Sequence, residues 1–187
     1  MVQAMPEKHL LNQRQLESLT SPIRLAIIQR LDIDKEATVH ELSQRMGRPV
    51  TSLYHHLKQL VDIGLLRVSG ERKGIRRPEA VYANVGRLSS GETIKTARGR
   101  KTYARAGTRI ADAGARAFSA AVTHGQARFD GEHRNTAAKH YVLRADRKKL
   151  QELNKLLNDL GDEAARSCDE GEEIRLTILL SPMNPKP

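Results

Sequence analysis

The stretch TSLYHHLKQL, Thr51 to Leu60, decides how the first half of the chain is expected to fold. At about 100° per residue, Leu53, Leu57 and Leu60 fall within one narrow stripe of a helix. An apolar stripe of this kind predicts that the helix packs on a core. We expect the helix to end at Gly64, because glycine readily adopts the left-handed backbone that closes helices.

The side of this helix that faces away from the leucines carries hydroxyl, phenol, imidazole and ammonium groups. A solvated helix usually shows Glu/Lys pairs on its outer face, whereas these groups suit hydrogen bonding to base edges and phosphates in a major groove. The second histidine, His56, falls beside the leucine stripe, which predicts a structural, partly buried role. Thr51, His55, Lys58 and Asp62 fall opposite the leucines, and Ser52, Tyr54 and Gln59 lie on the flanks of that side.

Two shorter helices are predicted upstream of this helix. SPIRLAIIQRL starts with Ser21 as an N-cap and Pro22 at the first helical position, where the missing N–H of proline costs nothing. VHELSQRM follows Thr38, which forms a capping-box pattern with Glu41 three residues later. A glycine ends this second helix, and the tight connector RPV leads into the third. Two helices joined by such a turn predict a helix-turn-helix.

Two β-prone runs follow, LLRVSG and PEAVYANV, with the polar segment GERKGIRRP between them. They predict a hairpin with a flexible tip, in which Gly70 and Gly74 permit the turns. Basic side chains at such a tip can lie along a phosphate backbone or reach into a narrow minor groove, although an ordinary solvated loop can also carry them. These side chains are Arg72, Lys73, Arg76 and Arg77.

The order of SPIRLAIIQRL, ATVHELSQRMG, TSLYHHLKQLVDIGLL and a basic hairpin ending in VYA resembles the ArsR-type winged-helix transcriptional regulators. The resemblance covers about residues 10–88, and HHLKQL followed by GLL is its most specific part. In that family the helix after the turn enters the major groove, the wing contacts flanking DNA, and a dimer binds a two-fold symmetric operator. For this chain the resemblance implies DNA contacts from Arg48, Thr51, Ser52, Tyr54, His55 and Lys58, and from Arg72, Lys73, Arg76 and Arg77 on the wing.

The sequence departs from the metal-sensing members of that family. They carry cysteines in the helix matching VHELSQRM, or Asp and His residues at helical spacing in a later helix, whereas His40 and Glu41 occupy the first helix here without a cysteine. His124, His133 and His140 show no ligand spacing, and a four-ligand zinc site needs more than the one cysteine, Cys168. We therefore predict no metal and no cofactor. Tyr54 stands where many relatives carry a serine, which indicates a different base preference.

Charge points to a polyanionic partner. The 187 residues include 32 Lys and Arg against 22 Asp and Glu, a net charge of +10. The excess lies in residues 1–88 and 89–145, and the last segment, 146–187, is mildly acidic. A solvated basic surface would show the same excess, so local structure has to decide between the two explanations.

A lone cysteine, the lack of a secretory signal and the lack of a long apolar run predict a cytoplasmic protein with no membrane partner.

The second half of the chain offers two stripes and a βαβ pattern. Small residues at helical spacing predict a close helix contact between subunits, whereas an arginine stripe on the same segment either tracks phosphates or is simply solvated. AKHYVLRA and EIRLTILLSP alternate like strands, and Asp146 can cap a leucine-rich helix between them. The small stripe is Ala106, Ile110, Ala113, Ala117 and Ala121, the arginine stripe is Arg98, Arg105, Arg109 and Arg116, and the helix residues are Leu150, Leu153, Leu157, Leu160 and Ala164.

These patterns predict an α+β, mainly helical fold. A winged helix-turn-helix domain is expected over residues 1–88, and a dimerisation helix with a small βαβ domain for an unknown small-molecule or protein effector over residues 89–187. The sequence has no GxxxxGK, HExxH or GxSxG motif and no Cys/His pair that would form a nucleophile, so we predict that the protein is not an enzyme. The leading hypothesis is a homodimeric, sequence-specific DNA-binding transcriptional regulator, a repressor on an inverted-repeat operator. The alternative is a non-specific architectural DNA- or RNA-binding protein.

Overall fold

Helices dominate the structure, a computed structural model that describes residues 8–74, 77–166 and 171–183. The described part is mixed α and β, as predicted, and it divides into two compact units, one containing residues up to Asp112 with 181–183 and the other containing residues 113–180. Its elements in chain order are β1 (Lys8–Leu10), α1 (Gln13–Ser18), α2 (Pro22–Asp34), β2 (Glu36–Thr38), α3 (Val39–Met46), α4 (Val50–Asp62), β3 (Leu66–Arg72), β4 (Glu79–Asn84), β5 (Arg87–Ser89), a 3₁₀ turn (Gly91–Lys95), α5 (Ala97–Thr123) and α6 (Arg147–Ala165).

The predicted helix-turn-helix is confirmed as α3 and α4. The Thr38 side chain accepts a hydrogen bond from the Glu41 N–H at 3.3 Å, and the Glu41 carboxylate accepts one from the Thr38 N–H at 2.7 Å. Gly47 ends α3 with φ of 60°, a left-handed conformation that glycine adopts without strain. α2 begins with Ser21 at its N-cap and Pro22 in its first turn, although the Ser21 hydroxyl makes no capping hydrogen bond.

The core of the first unit is aliphatic and is built around α4. Leu53, Leu57 and Leu60 are fully buried, as their spacing predicts. They pack in one cluster with buried residues of α2 and α3, including Ile27 and Leu42. Burial of large aliphatic side chains is the main stabilising force of such a small domain, so the leucine stripe fixes the orientation of α4.

The predicted hairpin is confirmed as β3 and β4, and a third strand joins it. β4 lies in the centre of an antiparallel sheet of order β2-β4-β3, with a register shift between Val68 and Gly70. The short strand β2 lies immediately before α3, so the hairpin is attached to the start of the helix-turn-helix. A separate parallel pair, β1 and β5, joins the beginning of the described chain to the segment after the hairpin. Sequence patterning did not predict β1, β2 or β5.

The expected βαβ arrangement near the end of the chain is wrong in its strands. α6 forms as predicted, with the Asp146 carboxylate accepting a hydrogen bond from the Lys149 N–H at 2.8 Å. Neither 138–145 nor the described stretch 173–182 is a strand. An alternating pattern forms a strand only where another strand pairs with it, and no strand of the described chain pairs with either segment. Their apolar side chains are consequently exposed, with Tyr141 at 75%.

α5 is the longest helix of the described chain. α5 is continuous despite Gly107 and Gly114, and the predicted small stripe lies on its less exposed side, with Ala106 buried. The carbonyl of Thr93 lies where a side chain at Gly99 would project, so the start of α5 has room only for glycine there. Across the described ranges, every helix is too short or too polar to cross a lipid bilayer.

Candidate nucleic-acid interface

α4 presents a polar face to solvent on the side opposite its buried leucines. Thr51, Tyr54, His55 and Lys58 are exposed, and Ser52 is half-buried on the flank. The leucines fix the rotation of the helix and therefore set the direction in which this face points. It offers hydroxyl donors and acceptors, an imidazole and an ammonium group, which are the types of group that contact base edges and phosphates.

His56 marks the boundary between that face and the core. Its ring lies in an edge-on contact with His55, with centroids 5.7 Å apart, and its Nδ1 is buried without a hydrogen-bond partner among the described residues. Burial, followed by the positive charges of Arg24, His55 and Arg48, lowers the pKa of His56 below its ordinary value of 6.5. The prediction that His56 is structural and partly buried agrees with this environment.

We expect acidification from about pH 7.5 to about pH 5.5 to destabilise the first unit through His56. The unfolded chain binds a proton at His56 more readily than the folded chain, so the free energy of unfolding falls as the pH drops through 6.5. Urea unfolding at the two pH values measures this loss, and His56→Gln should reduce it. The matched change His55→Gln should keep most of the loss, because burial of His56 is the largest cause of the shift and the charge of His55 contributes less. An equal loss of stability in wild type and His56→Gln would show that His56 does not cause the pH dependence.

Two hydrogen bonds between Ser43 of α3 and Arg48 hold the connector between α3 and α4. The Ser43 hydroxyl donates to the Arg48 carbonyl at 2.6 Å, and the Arg48 N–H donates to the Ser43 carbonyl at 3.2 Å. The Arg48 side chain is exposed beside the first turn of α4. Its position allows it to approach a phosphate flanking the bases that α4 would face.

A network of charged side chains ties the hairpin to α3. The Arg72 guanidinium donates to the Glu36 carboxylate at 2.6 Å and to the Glu41 carboxylate at 2.9 Å. Arg72 pairs in register with Glu79 on β4, and Glu79 lies 2.8 Å from Nδ1 of His40. Two adjacent residues of α3, His40 and Glu41, therefore hold one strand of the hairpin each. We call these five residues the hairpin clamp.

Sequence reasoning missed the hairpin clamp because its members are far apart in the chain. Burial alone would raise the pKa of Glu41, but hydrogen bonds from Thr38 and the charge of Arg72 outweigh it and keep that pKa below its ordinary value. Any contact of Arg72 with DNA would have to share or break its bonds to Glu36 and Glu41. Glu41 has two roles. One of its carboxylate oxygens accepts from the Thr38 N–H in the capping box, and both oxygens accept from Arg72.

We expect Arg72→Ala and Arg72→Lys to loosen the hairpin to a similar extent, because lysine cannot reproduce the planar fork that bridges two carboxylates. The ion pairs are about half exposed, so the loss of global stability should stay below about 1 kcal/mol. Hydrogen exchange of the β3 and β4 amides measures the local effect. Lys73→Ala, the neighbouring change, should leave their exchange rates unaltered. If Arg72→Lys preserved wild-type exchange, a simple charge contact would explain Arg72 better than the clamp.

The tip of the hairpin is only partly described. Lys73 and Arg77 are exposed, and Arg76, the fourth predicted wing residue, lies outside the described residues. Exposed cations at the end of a hairpin can follow a phosphate backbone with little loss of solvation. Exposed cations of this kind suit phosphate contacts better than base contacts.

An open, mainly apolar groove of about 430 Å³ lies between α4 and the sheet. Tyr54, His55 and Lys58 line one side, and Val68 and Tyr82, directly paired across β3 and β4, line the other. Neither Val68 nor Tyr82 was predicted as a site residue, although the alternation along β4 indicates that Tyr82 faces away from its buried neighbours Val81 and Ala83. The groove gives the α4 face an apolar edge suited to sugar or thymine-methyl contacts.

Comparison with known proteins supports the helix-turn-helix. Residues 19–69 match a protein family described as a helix-turn-helix domain. The matched range begins just before α2, includes α3 and α4, and ends within β3. None of the curated proteins matches the chain. Among the described residues, no group of three His, Cys, Asp or Glu side chains could hold a metal ion. The fold and the family match together support a winged helix-turn-helix regulator that binds DNA.

Proposed function

We propose that the protein is a sequence-specific DNA-binding transcriptional regulator of the ArsR type, acting as a homodimeric repressor on an inverted-repeat operator in the cytoplasm. The observation that carries the proposal is the exposed polar face of α4, held in a fixed rotation by three fully buried leucines. A helix so oriented fits the major groove, whose base edges differ for every base pair. In this proposal residues 1–88 bind DNA, and residues 89–187 provide dimerisation and respond to an effector.

The proposed contacts divide into two groups by their chemistry. Side chains at the centre of the α4 face contact bases, and basic side chains at its edges and on the hairpin contact phosphates. The base group is Thr51, Ser52, Tyr54 and His55, and the phosphate group is Arg48, Lys58, Lys73, Arg76 and Arg77. Arg72, which the family resemblance places among the wing contacts, supports DNA binding chiefly by holding the hairpin.

A non-specific architectural DNA- or RNA-binding protein is the alternative, and the net charge of +10 favours it equally. It does not require an α4 face rich in hydroxyl and imidazole groups. A protein of either kind would lose affinity for nucleic acid as salt rises, because its binding releases counterions from phosphates. Only the regulator would discriminate between sequences.

Selection of random duplexes by the purified full-length protein, from about 50 mM to about 200 mM salt, separates the two functions. The proposed regulator enriches an inverted repeat, and the preference for it over unselected duplexes persists as salt rises. Equal recovery of all sequences, with affinity depending on salt alone, would reject the regulator. Stronger binding of structured RNA than of any duplex would reject it in favour of an RNA-binding protein.

A further inference from the structure

The apolar side of α6 has the spacing of a helix that packs against another helix. Leu150, Leu153, Leu157, Leu160 and Ala164 follow one another at alternating intervals of three and four residues, which is the seam of a coiled coil. Leu153 and Leu157 are half-buried, whereas Leu150 and Leu160 are each 42% exposed. Leu156, beside the seam, is 63% exposed. A second helix on this side would cover all of these leucines.

The charged side chains at both ends of α6 have the sign that the helix dipole disfavours. Arg147, Lys148 and Lys149 lie in its first turn, where the helix dipole disfavours cations. Asp162 and Glu163 lie near its end, where the dipole disfavours anions. Helix stability alone therefore does not explain this distribution. A neighbouring helix of opposite direction and the same charge pattern would be complementary to it at both ends.

We propose that α6 packs antiparallel on α6 of a second copy of this chain. Lys149 and Glu163 each lie seven residues from Leu156. With a two-fold axis near Leu156, Lys149 approaches the partner's Glu163, and the reverse contact forms on the other side of the axis. A parallel arrangement would instead place the three cations of one helix beside those of the other. The self-complementary placement about one residue favours a second copy over an unrelated protein.

The existing contacts of Lys149 and Glu163 leave these two side chains able to form new ion pairs. Lys149 pairs with Glu152 at 3.2 Å and Glu163 pairs with Arg166 at 3.1 Å, both within the helix and both largely exposed. Exposed pairs of this type contribute little to stability, so they can exchange for contacts across an interface. The α6 pair rests on the homodimer contained in the proposed function and does not depend on DNA.

Cross-linking with a short bis-maleimide tests the orientation of the two helices. The full-length chain with Cys168→Ser serves as background, and Leu156→Cys is compared with the matched change Ala164→Cys. In the antiparallel pair the two thiols introduced at position 156 are nearly level, whereas the two at position 164 lie roughly 24 Å apart along the axis. We expect a covalent dimer from Leu156→Cys and none from Ala164→Cys. Efficient linkage of Ala164→Cys, or no linkage of either variant, would overturn the proposal.

Charge reversal tests the same contact in solution without changing any leucine of α6. Lys149→Glu or Glu163→Lys alone should raise the dimer dissociation constant in sedimentation equilibrium by about 3- to 10-fold, since each change affects two symmetric pairs. The double variant should restore the wild-type value. A purely monomeric wild type would overturn the α6 contact together with the proposed homodimer, whereas a double variant as weak as the sum of the singles would overturn the α6 contact alone. The protein would still enrich an inverted repeat from random duplexes if only the α6 contact were wrong. Loss of that enrichment is what would reject the proposed function.

Discussion

Leu57→Ala is expected to lower the free energy of unfolding of the first unit by about 2–5 kcal/mol, the largest effect we predict for a single substitution. Leu57 is fully buried at the centre of α4, among the residues that also hold α2 and α3. Truncation removes transfer free energy and leaves a cavity that a close-packed aliphatic core fills only in part. Because small domains are marginally stable, this loss should populate the unfolded state and abolish DNA binding.

Urea unfolding followed by circular dichroism measures this effect, with Lys58→Ala as the control on the adjacent position. Lys58 is exposed, so its removal should change stability by no more than about 0.5 kcal/mol while weakening DNA binding. The pair separates loss of fold from loss of contact. Equal stability of Leu57→Ala and Lys58→Ala would show that the leucine stripe does not anchor α4.

His55→Ala should reduce discrimination between the selected operator and unrelated duplexes by about 1–3 kcal/mol, or roughly 5- to 150-fold. His55 is exposed on the α4 face and contributes no buried surface to the core. Its removal would therefore cost the proposed base contact without a matching loss of stability. Binding to unrelated duplexes should change little, because phosphate contacts supply most of that affinity.

The comparison variant for His55 is Lys73→Ala on the hairpin. Removing a phosphate contact at Lys73 should weaken binding to operator and unrelated duplexes alike and lower the salt slope by about one unit. Competition titrations at two salt concentrations give both quantities for each variant. If His55→Ala and Lys73→Ala gave the same profile, the division into base contacts and phosphate contacts would be wrong.

The helix-turn-helix was predictable because its determinants are local. The 3.6-residue period of the leucines, the capping box at Thr38 and Glu41 and the glycine that ends α3 all act within one or two turns of chain. The same logic separated His55 from His56, since helical geometry alone places one outward and the other against the core. Local rules of this type need no knowledge of the rest of the fold.

The hairpin clamp and the small strands could not be predicted in the same way. β2 is three residues long and forms because β4 offers it an open edge, which the sequence of β2 does not indicate. Arg72 belongs to a basic run, so the sequence favoured a DNA contact, while its carboxylate partners lie more than thirty residues earlier. Contacts of this range depend on the assembled fold.

The two strands predicted on either side of α6 do not form, for a related reason. The alternation in AKHYVLRA and EIRLTILLSP shows which side chains could share a face, but a strand also needs a pairing edge. Within the described chain none is supplied, and side chains such as Val142 and Leu179 stay more than half exposed. The apolar surface of this part of the molecule is therefore consistent with the dimer that the charges of α6 favour.

The central claim, that the outer face of α4 contacts base edges in the major groove, can be tested on the selected operator with base analogues. Replacing single purines by 7-deazapurines removes a major-groove acceptor, and replacing guanine by inosine removes a minor-groove donor. We predict that 7-deaza substitution at one or more positions weakens wild-type binding by about 1–3 kcal/mol, and that one such position gives no further loss in His55→Ala. Full affinity for every 7-deaza operator, with losses confined to inosine, would contradict the claim.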